Sequence, residues 1–393
     1  MRFLILNTDY PEFLSWLYTQ HPGLEDAPYV EQMRVRVKSL FGVADFYSNN
    51  LRRLGHEAWD VHANNEFMQK AWARKHGLRF DERDSTRRRM QTLLAWANRR
   101  MAKTPIRHLK RFWLPGVSSA HSEPKWFYEI LAAQIREYRP DVLLNQAMEG
   151  ISRRFLREMK PHVKLLMGQI ASPLPANEDF SGYDLVLSSL PNFVAYFRSI
   201  GITAALHRLA FEPTLLGDLK NGGQAIPVSF AGSLSDYHHS RLQLLEYLCA
   251  RQDVKVWGPG ACGLPRNSSI HRSYMGQVWG CAMYEILRRS KITLNHHIGI
   301  ASSYANNMRL FEATGAGALL LTDWKENLID MFEPGKEVVA YRTPRECVEL
   351  VGYYLEHEEA RASIARNGQQ RTLREHTYYQ RMQELVDIVG KYL

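Results

Sequence analysis

The stretch Asn306-Asn-Met-Arg-Leu-Phe-Glu-Ala-Thr-Gly-Ala-Gly-Ala-Leu-Leu-Leu-Thr-Asp323 decides how this chain reads. A helical pattern, Met308–Thr314, meets Gly315-Ala-Gly317 and then an apolar run, Ala318–Leu321. Glycine ends a helix without steric cost, and a short apolar run after it reads as a buried strand. Arg309 and Glu312 are spaced i, i+3 and share a helix face. On an open surface such a pair contributes only about 0.2–0.5 kcal/mol. In a ligand site each has a task. Glu312 would accept hydrogen bonds from two vicinal ribose hydroxyls, as the acid of dinucleotide folds does, and Arg309 would neutralise a diphosphate.

The same alternation extends outward in both directions. Upstream in the second half, strands are expected at Val228–Ala231, Val254–Trp257 and Ile292–Leu294, with helices at Tyr237–Arg251 and Met283–Arg289. Downstream lie a strand, Val338–Tyr341, and three helices, Arg345–Leu355, Glu359–Arg374 and Tyr378–Tyr392. The first half repeats the pattern. Strands are expected at Phe3–Leu6, Ala58–His62, Val142–Leu144, Val163–Met167 and Leu185–Leu187. Helices are expected at Pro11–Gln20, Val30–Leu54, Trp126–Arg136 and Asn192–Ile200. Strands alternating with helices imply doubly wound parallel sheets. The Gly-, Pro- and Asn-rich run Glu212–Pro227 breaks the pattern and reads as a linker.

The predicted fold class is therefore α/β, with two Rossmann-like lobes and a cleft between them. The expected bounds are residues 1–215 for a first lobe and 226–375 for a second. Residues 376–393 would form a terminal helix packing back on the first lobe. A length of 393 residues suits two domains, and 45% hydrophobic residues is ordinary for packed cores. The longest apolar runs are far too short for a signal-peptide core or a membrane span, so a cytoplasmic protein is expected. The four cysteines, Cys249, Cys262, Cys281 and Cys347, form no CxxC pair and suit a reducing compartment.

Several chemistries are excluded by what is missing. There is no GxxxxGK[ST] for a P-loop, no GxSxG elbow and no Asp-x-Asp metal anchor. His238-His239 and His296-His297 are adjacent pairs, which point apart on a strand and lack a spaced carboxylate, so no metal is expected. What is present is a strand, Gly232-Ser233, and a helix bearing Arg241. Glycine lets an anion approach the backbone, a helix start offers free N–H groups, and arginine can grip a phosphate with two bonds. A plain βα turn with a surface arginine would look the same.

With these residues in hand, the Arg309–Glu312 stretch resembles the donor-site motif of GT-B glycosyltransferases. It is most similar to the bacterial spore-maturation-like (CgeB-type) branch, with a group 1-like C-terminal domain. Phe230-Ala-Gly232-Ser233 with Arg241, Ser290–Asn295 and His376-Thr377-Tyr378 resemble further parts of that lobe. The resemblance covers about Val228 to Leu393 and is loose before it. It implies a nucleotide-diphosphate sugar as co-substrate, with no separate cofactor and no metal. It also implies hexosyl or related transfer to an acceptor hydroxyl in surface glycan or glycoconjugate synthesis. The donor would be held by Gly232, Ser233, Arg241, Asn295, Asn307, Arg309 and Glu312. Many members of the large retaining family carry two glutamates seven residues apart. Glu312 matches the second, and Tyr304 stands at the first.

Transfer also needs a base for the acceptor hydroxyl. Functional residues of open α/β sheets sit beyond the strand C-terminal ends, which selects Asp9 and Tyr10, Gln146 and Glu149, and Ser172. Asp9 is the first choice as catalytic base and Glu149 the second. An N-cap before Pro11 is the bland alternative for Asp9. Trp257-Gly258 is placed against the nucleotide base or, more simply, in the core.

The net charge of +9 is concentrated. Lys70–Arg111 holds 14 Lys/Arg against Asp81, Glu82 and Asp84, a net +11, within a long helical insertion expected at about residues 64–124. Ser85–Met101 shows an apolar helical stripe beside arginines, as an interfacial helix does. Peripheral contact at the inner membrane face and an acidic or lipid-linked glycan acceptor are the expectations drawn from it. The competing readings are a GT-B epimerase or hydrolase acting on the nucleotide sugar, and a nucleic-acid-binding protein working through residues 70–111.

Overall fold

The computed structural model describes residues 1–80, 124–174, 179–220, 222–235 and 238–393. The expected amphipathic helix Ser85–Met101, with the rest of residues 81–123 of the insertion, lies outside the described residues.

In the first half, β1 (Arg2–Asn7) leads to α1 (Pro11–Gln20), α2 (Tyr29–Lys38), α3 (Phe46–Arg53) and β2 (Glu57–His62). After α4 (Glu66–Lys75) come α5 (Lys125–Tyr138), β3 (Val142–Asn145), α6 (Arg153–Met159) and β4 (Leu165–Gln169). The half ends with β5 (Leu185–Ser188), α7 (Pro191–Ser199) and β6 (Ala204–Leu206). The second half runs β7 (Ile226–Ala231), α8 (His239–Cys249), β8 (Val254–Trp257), α9 (Ile270–Ser273), α10 (Gly280–Arg288) and β9 (Ser290–Leu294). It continues with α11 (Arg309–Gly315), β10 (Leu319–Asp323), β11 (Val339–Tyr341), α12 (Pro344–Glu356), α13 (Glu358–Glu375) and α14 (Tyr378–Val389).

The strands form two wholly parallel sheets, ordered β2-β1-β3-β4-β5-β6 and β11-β10-β9-β7-β8. Parallel sheets need helical cover on both faces, and strand side chains alternate to supply it. In β1, Phe3 and Ile5 pack with α3 and α14, while Leu4 and Leu6 pack with α4, α5 and α6. The cluster holding Phe3 and Ile5 continues into Tyr284, Leu310, Phe311 and Leu320 of the second half, so one apolar core crosses between the sheets.

Three seams join the halves. At the first, Trp279 meets the Phe41 ring edge-on at 5.1 Å, and the Cys281 N–H donates to the Ser39 carbonyl at 2.9 Å. At the second, Ile298, Ile300, Ala301 and Tyr304 pack against Val186, Leu190 and α7 residues. At the third, backbone bonds between Phe211 and both His376 and Tyr378 lead the chain into α14, where Tyr378 lies 5.2 Å from Phe46 and 5.6 Å from Tyr47.

The first seam leaves no room for a side chain at Gly280. This residue has φ 52°, and a Cβ there would lie 1.8 Å from the Ser39 oxygen. Positive φ and a backbone clash together should make Gly280→Ala destabilising by at least about 2 kcal/mol, readable by urea unfolding. Equal stability of the variant would mean that the seam is loose.

Two expectations need correction. The single helix Val30–Leu54 is two helices, α2 and α3, because Leu40, Gly42 and Ala44 take positive φ. That bend carries Phe41 into its contacts with Phe13 and Trp279, and such tertiary contact overrides helical periodicity. The linker Glu212–Pro227 is also more ordered than its composition suggests. Pro213–Gly217 form a 3-10 turn capped by the buried Glu212, which accepts from Asn50 at 2.6 Å. Among the described residues no helix is long and apolar enough to cross a membrane.

Candidate active site

Each sheet reverses its winding once, between β1 and β3 in the first and between β7 and β9 in the second. Strand ends beside such a reversal splay apart and leave a crevice. The four carboxyl ends concerned face one cleft of about 720 Å³. Thr8, Asp9 and Tyr10 follow β1, Gln146 and Glu149 follow β3, Gly232 and Ser233 follow β7, and Asn295 follows β9. Arg241, Asn307, Arg309 and Glu312 complete the second-half wall, and Ser172 lies opposite. All nine expected site residues thus line one space.

The second-half wall is a cationic, hydrogen-bonding surface. Glu312 is 5% exposed, far from the open-surface case, and its Oε2 lies 2.9 Å from Arg309 Nη1. Tyr284, buried on α10, donates its hydroxyl to Glu312 Oε1 at 3.3 Å. A carboxylate has about four acceptor positions, so Glu312 keeps capacity for a ligand while held by both. Arg309 also donates to the Ala231 carbonyl at 2.9 Å, which fixes it at the end of β7.

Arg241 donates to the Ser233 carbonyl at 3.2 Å and the His296 carbonyl at 2.9 Å, bridging the loops after β7 and β9. Among the described residues no carboxylate is ion-paired to it. Burial, and then the neighbouring Arg309 charge, push its pKa down to about 10. Two guanidinium groups facing one space, with one carboxylate between them, leave a positive site for an anion. Asn307 donates to Asn295 Oδ1 at 2.6 Å, and Asn295 donates to Thr322 at 2.9 Å, so both amides are fixed at the rim.

The first-half wall differs. The Asp9 carboxylate is 2.6 Å from Arg36 Nη2 and 3.0 Å from His62 Nδ1. Burial would raise its pKa, but interaction with His62 and Arg36 outweighs this and holds it well below the usual carboxylate range. The N-cap alternative for Asp9 fails too, since Tyr10 occupies that position. Glu149 is exposed in the cleft, has no ion-pair partner among the described residues, and accepts from Ser172 at 2.9 Å. The Gln146 amide donates to Gln169 at 2.8 Å, and that of Gln169 donates to Tyr47 at 2.9 Å.

Other sequence candidates lie elsewhere. Tyr304, at the position of the first family glutamate, packs in the second seam and does not line the cleft. His297 is buried against Asp323 at 2.7 Å. Trp257 does not reach the cleft, though Gly258 does. Sequence reasoning missed Arg36, Tyr284 and Trp279. Their partners lie 27 or more residues away, and no spacing rule joins them.

Residues 241–387 match the family model described as glycosyl transferase-like. The match covers the Arg241, Arg309 and Glu312 wall and most of the second half. No curated protein matches the chain. Among solved structures, Anabaena HepE in complex with UDP-glucose is 11% identical, with a TM-score of 0.55 over 100% of both chains. A glycosyltransferase from Rickettsia africae is 10% identical, with a TM-score of 0.54 over 100% of this chain and 98% of its own. AviGT4, a glycosyltransferase of avilamycin A biosynthesis, is 12% identical, with a TM-score of 0.53 over 98% and 96%. At such identities the likeness concerns architecture, and the architecture is GT-B. The chain therefore has two Rossmann-like lobes, with a glycosyl transferase-like second lobe.

Proposed function

We propose that this GT-B protein transfers a sugar from a nucleoside-diphosphate donor to an acceptor hydroxyl. One observation carries the reading: Arg241, Arg309 and the buried Glu312 converge on a cleft wall at a topological switch point. Glu312 takes the ribose diol. Arg241 and Arg309 take the diphosphate and stabilise the charge that grows on it as the glycosidic bond breaks. Asn295 and Asn307 contact phosphate or sugar, and Gly232-Ser233 lets the diphosphate approach the backbone.

Glu149 is the base in this reading. Asp9, the first choice from sequence, is tied to Arg36, and a carboxylate so stabilised is a poor proton acceptor. Glu149 has one oxygen fixed by Ser172 and, among the described residues, no partner on the other, which is available to the acceptor hydroxyl. The arginines supply the positive charge that a divalent ion supplies in other transferases, so turnover should survive EDTA. The spore-maturation-like branch is our assignment within the fold. It rests on Phe230–Ser233, Arg241 and His376–Tyr378 together. Bacterial glycan or glycoconjugate synthesis is the setting we assign with it.

A thermal-shift screen tests the donor site. Ligands that bind only the folded state raise its stability by mass action, about 2.7 kcal/mol at 100 times Kd. UDP, ADP and GDP and their sugars are the probes, with uridine compounds first because HepE was solved with UDP-glucose. At least one should raise Tm in wild type and lose that effect in Arg241→Ala. No shift with any of them would contradict the reading.

A further inference from the structure

The first-lobe wall of the cleft differs in kind from the donor wall, and its chemistry selects a different ligand. Its one guanidinium, Arg36, is neutralised by Asp9. Its remaining polar groups include Glu149, the hydroxyls of Thr8 and Ser172, and the amides of Asn7, Gln146 and Gln169. With them stands Tyr10, a residue 62% exposed. A lone exposed ring on an ordinary surface needs no explanation. This one lines the same cleft as Glu149.

The Tyr10 ring is also held in advance of any ligand. Its backbone follows Asp9, whose N–H donates to Asn64 at 2.8 Å and whose carbonyl accepts from Asn64 at 2.7 Å. Pro11 opens α1 immediately after it. The ring rests edge-on against Phe41 at 5.7 Å, and Phe41 stacks on Phe13 at 4.1 Å. A fixed aromatic face loses little freedom when something lies on it.

We infer that the first-lobe wall binds the acceptor as an uncharged sugar ring, with its C–H face on Tyr10 and a hydroxyl directed to Glu149. The inference rests on the transferase reading and adds the acceptor's chemical class to it. A pyranose has an apolar face and a rim of hydroxyls. The wall offers an exposed aromatic ring, a carboxylate outside any ion pair among the described residues, two hydroxyl side chains and several amides, which match that division. An acidic acceptor, the expectation raised by the basic window, would meet Glu149 with no unpaired cation among the described residues of this wall. Arg241, with no carboxylate paired to it among the described residues, and Arg309, paired to Glu312, stand across the cleft on the wall assigned to the donor diphosphate.

The test is binding of the full chain to an array of immobilised neutral oligosaccharides and their uronate- and phosphate-bearing counterparts. The protein is first saturated with UDP, ADP or GDP, whichever gives the largest thermal shift. Neutral glycans should be retained in preference to acidic ones. Tyr10→Ala should weaken retention by about tenfold, the scale of a lost aromatic contact, and Tyr10→Trp should keep it within about threefold. Nucleotide affinity should be the same in all three proteins, which shows that the variants are folded and the donor wall intact. Preference for acidic glycans, indifference to Tyr10→Ala, or no glycan retained by nucleotide-loaded protein would each overturn the inference and leave the donor reading standing. Failure of every nucleotide to bind would remove the donor reading itself, and this inference with it.

Discussion

Replacing Glu312 by alanine is expected to lower kcat/KM for the donor by at least about 100-fold, most of it through nucleotide affinity. A carboxylate accepting from both hydroxyls of a ribose makes two charge-assisted hydrogen bonds, each contributing about 1.5–3 kcal/mol. About 2.7 kcal/mol is already 100-fold. The substitution also releases Arg309 from its 2.9 Å ion pair, so part of the loss is misplacement of the diphosphate clamp. Because Arg309 is then buried without its partner, some stability is lost as well. Glu312→Gln separates the effects. It keeps the volume and one acceptor oxygen for Arg309, so it should cost less stability than alanine, and should still lose at least about tenfold in affinity at temperatures where it is folded. Wild-type kinetics in both variants would remove Glu312 from the donor site.

The second large effect is expected at Glu149. Removal of a positioned base costs about 10²–10⁴ in rate. Glu149→Gln preserves the Ser172 contact geometry, so kcat should fall by about that range while nucleotide affinity holds. The parallel substitution Asp9→Asn acts differently. It breaks a buried pair with Arg36, which typically costs about 3–5 kcal/mol of stability. Its activity loss should therefore follow unfolding rather than chemistry. A Glu149→Gln enzyme with an undiminished kcat would contradict the assignment of the base.

These roles show where sequence carries structural information and where it stops. Strand Val254–Trp257 and helix Pro11–Gln20 match their expected bounds, since each is set by local signals: an apolar run in one, a proline start in the other. Strand β4 begins two residues later than expected, because Val163 and Lys164 precede the pairing with β3, which starts at Leu165. Strand β6, Ala204–Leu206, is a three-residue, alanine-rich run without a β-branched or aromatic residue to announce it, and it is defined by its pairing with β5. The break between α2 and α3 is likewise set from outside, by Phe41 packing on Phe13 and Trp279.

The same division holds in the cleft. Arg309 and Glu312 were legible because one helical turn joins them. Their convergence with Arg241 follows from the strand order, which places the ends of β7 and β9 side by side. The ties of Asp9 to Arg36 and His62 were not legible. Each bridges separate elements, and each decides whether the Asp9 carboxylate can accept a proton. Tyr284, which orients Glu312 from α10, is equally silent in sequence.

The most direct measurement is a crystal structure of the full chain with the nucleoside diphosphate that most raises its Tm. Glu312 should lie within hydrogen-bonding distance of both ribose hydroxyls, with Arg241 and Arg309 on the phosphates. A nucleotide bound away from this cleft, with the Arg309–Glu312 pair unchanged from its 2.9 Å contact and no guanidinium on a phosphate, would contradict the account.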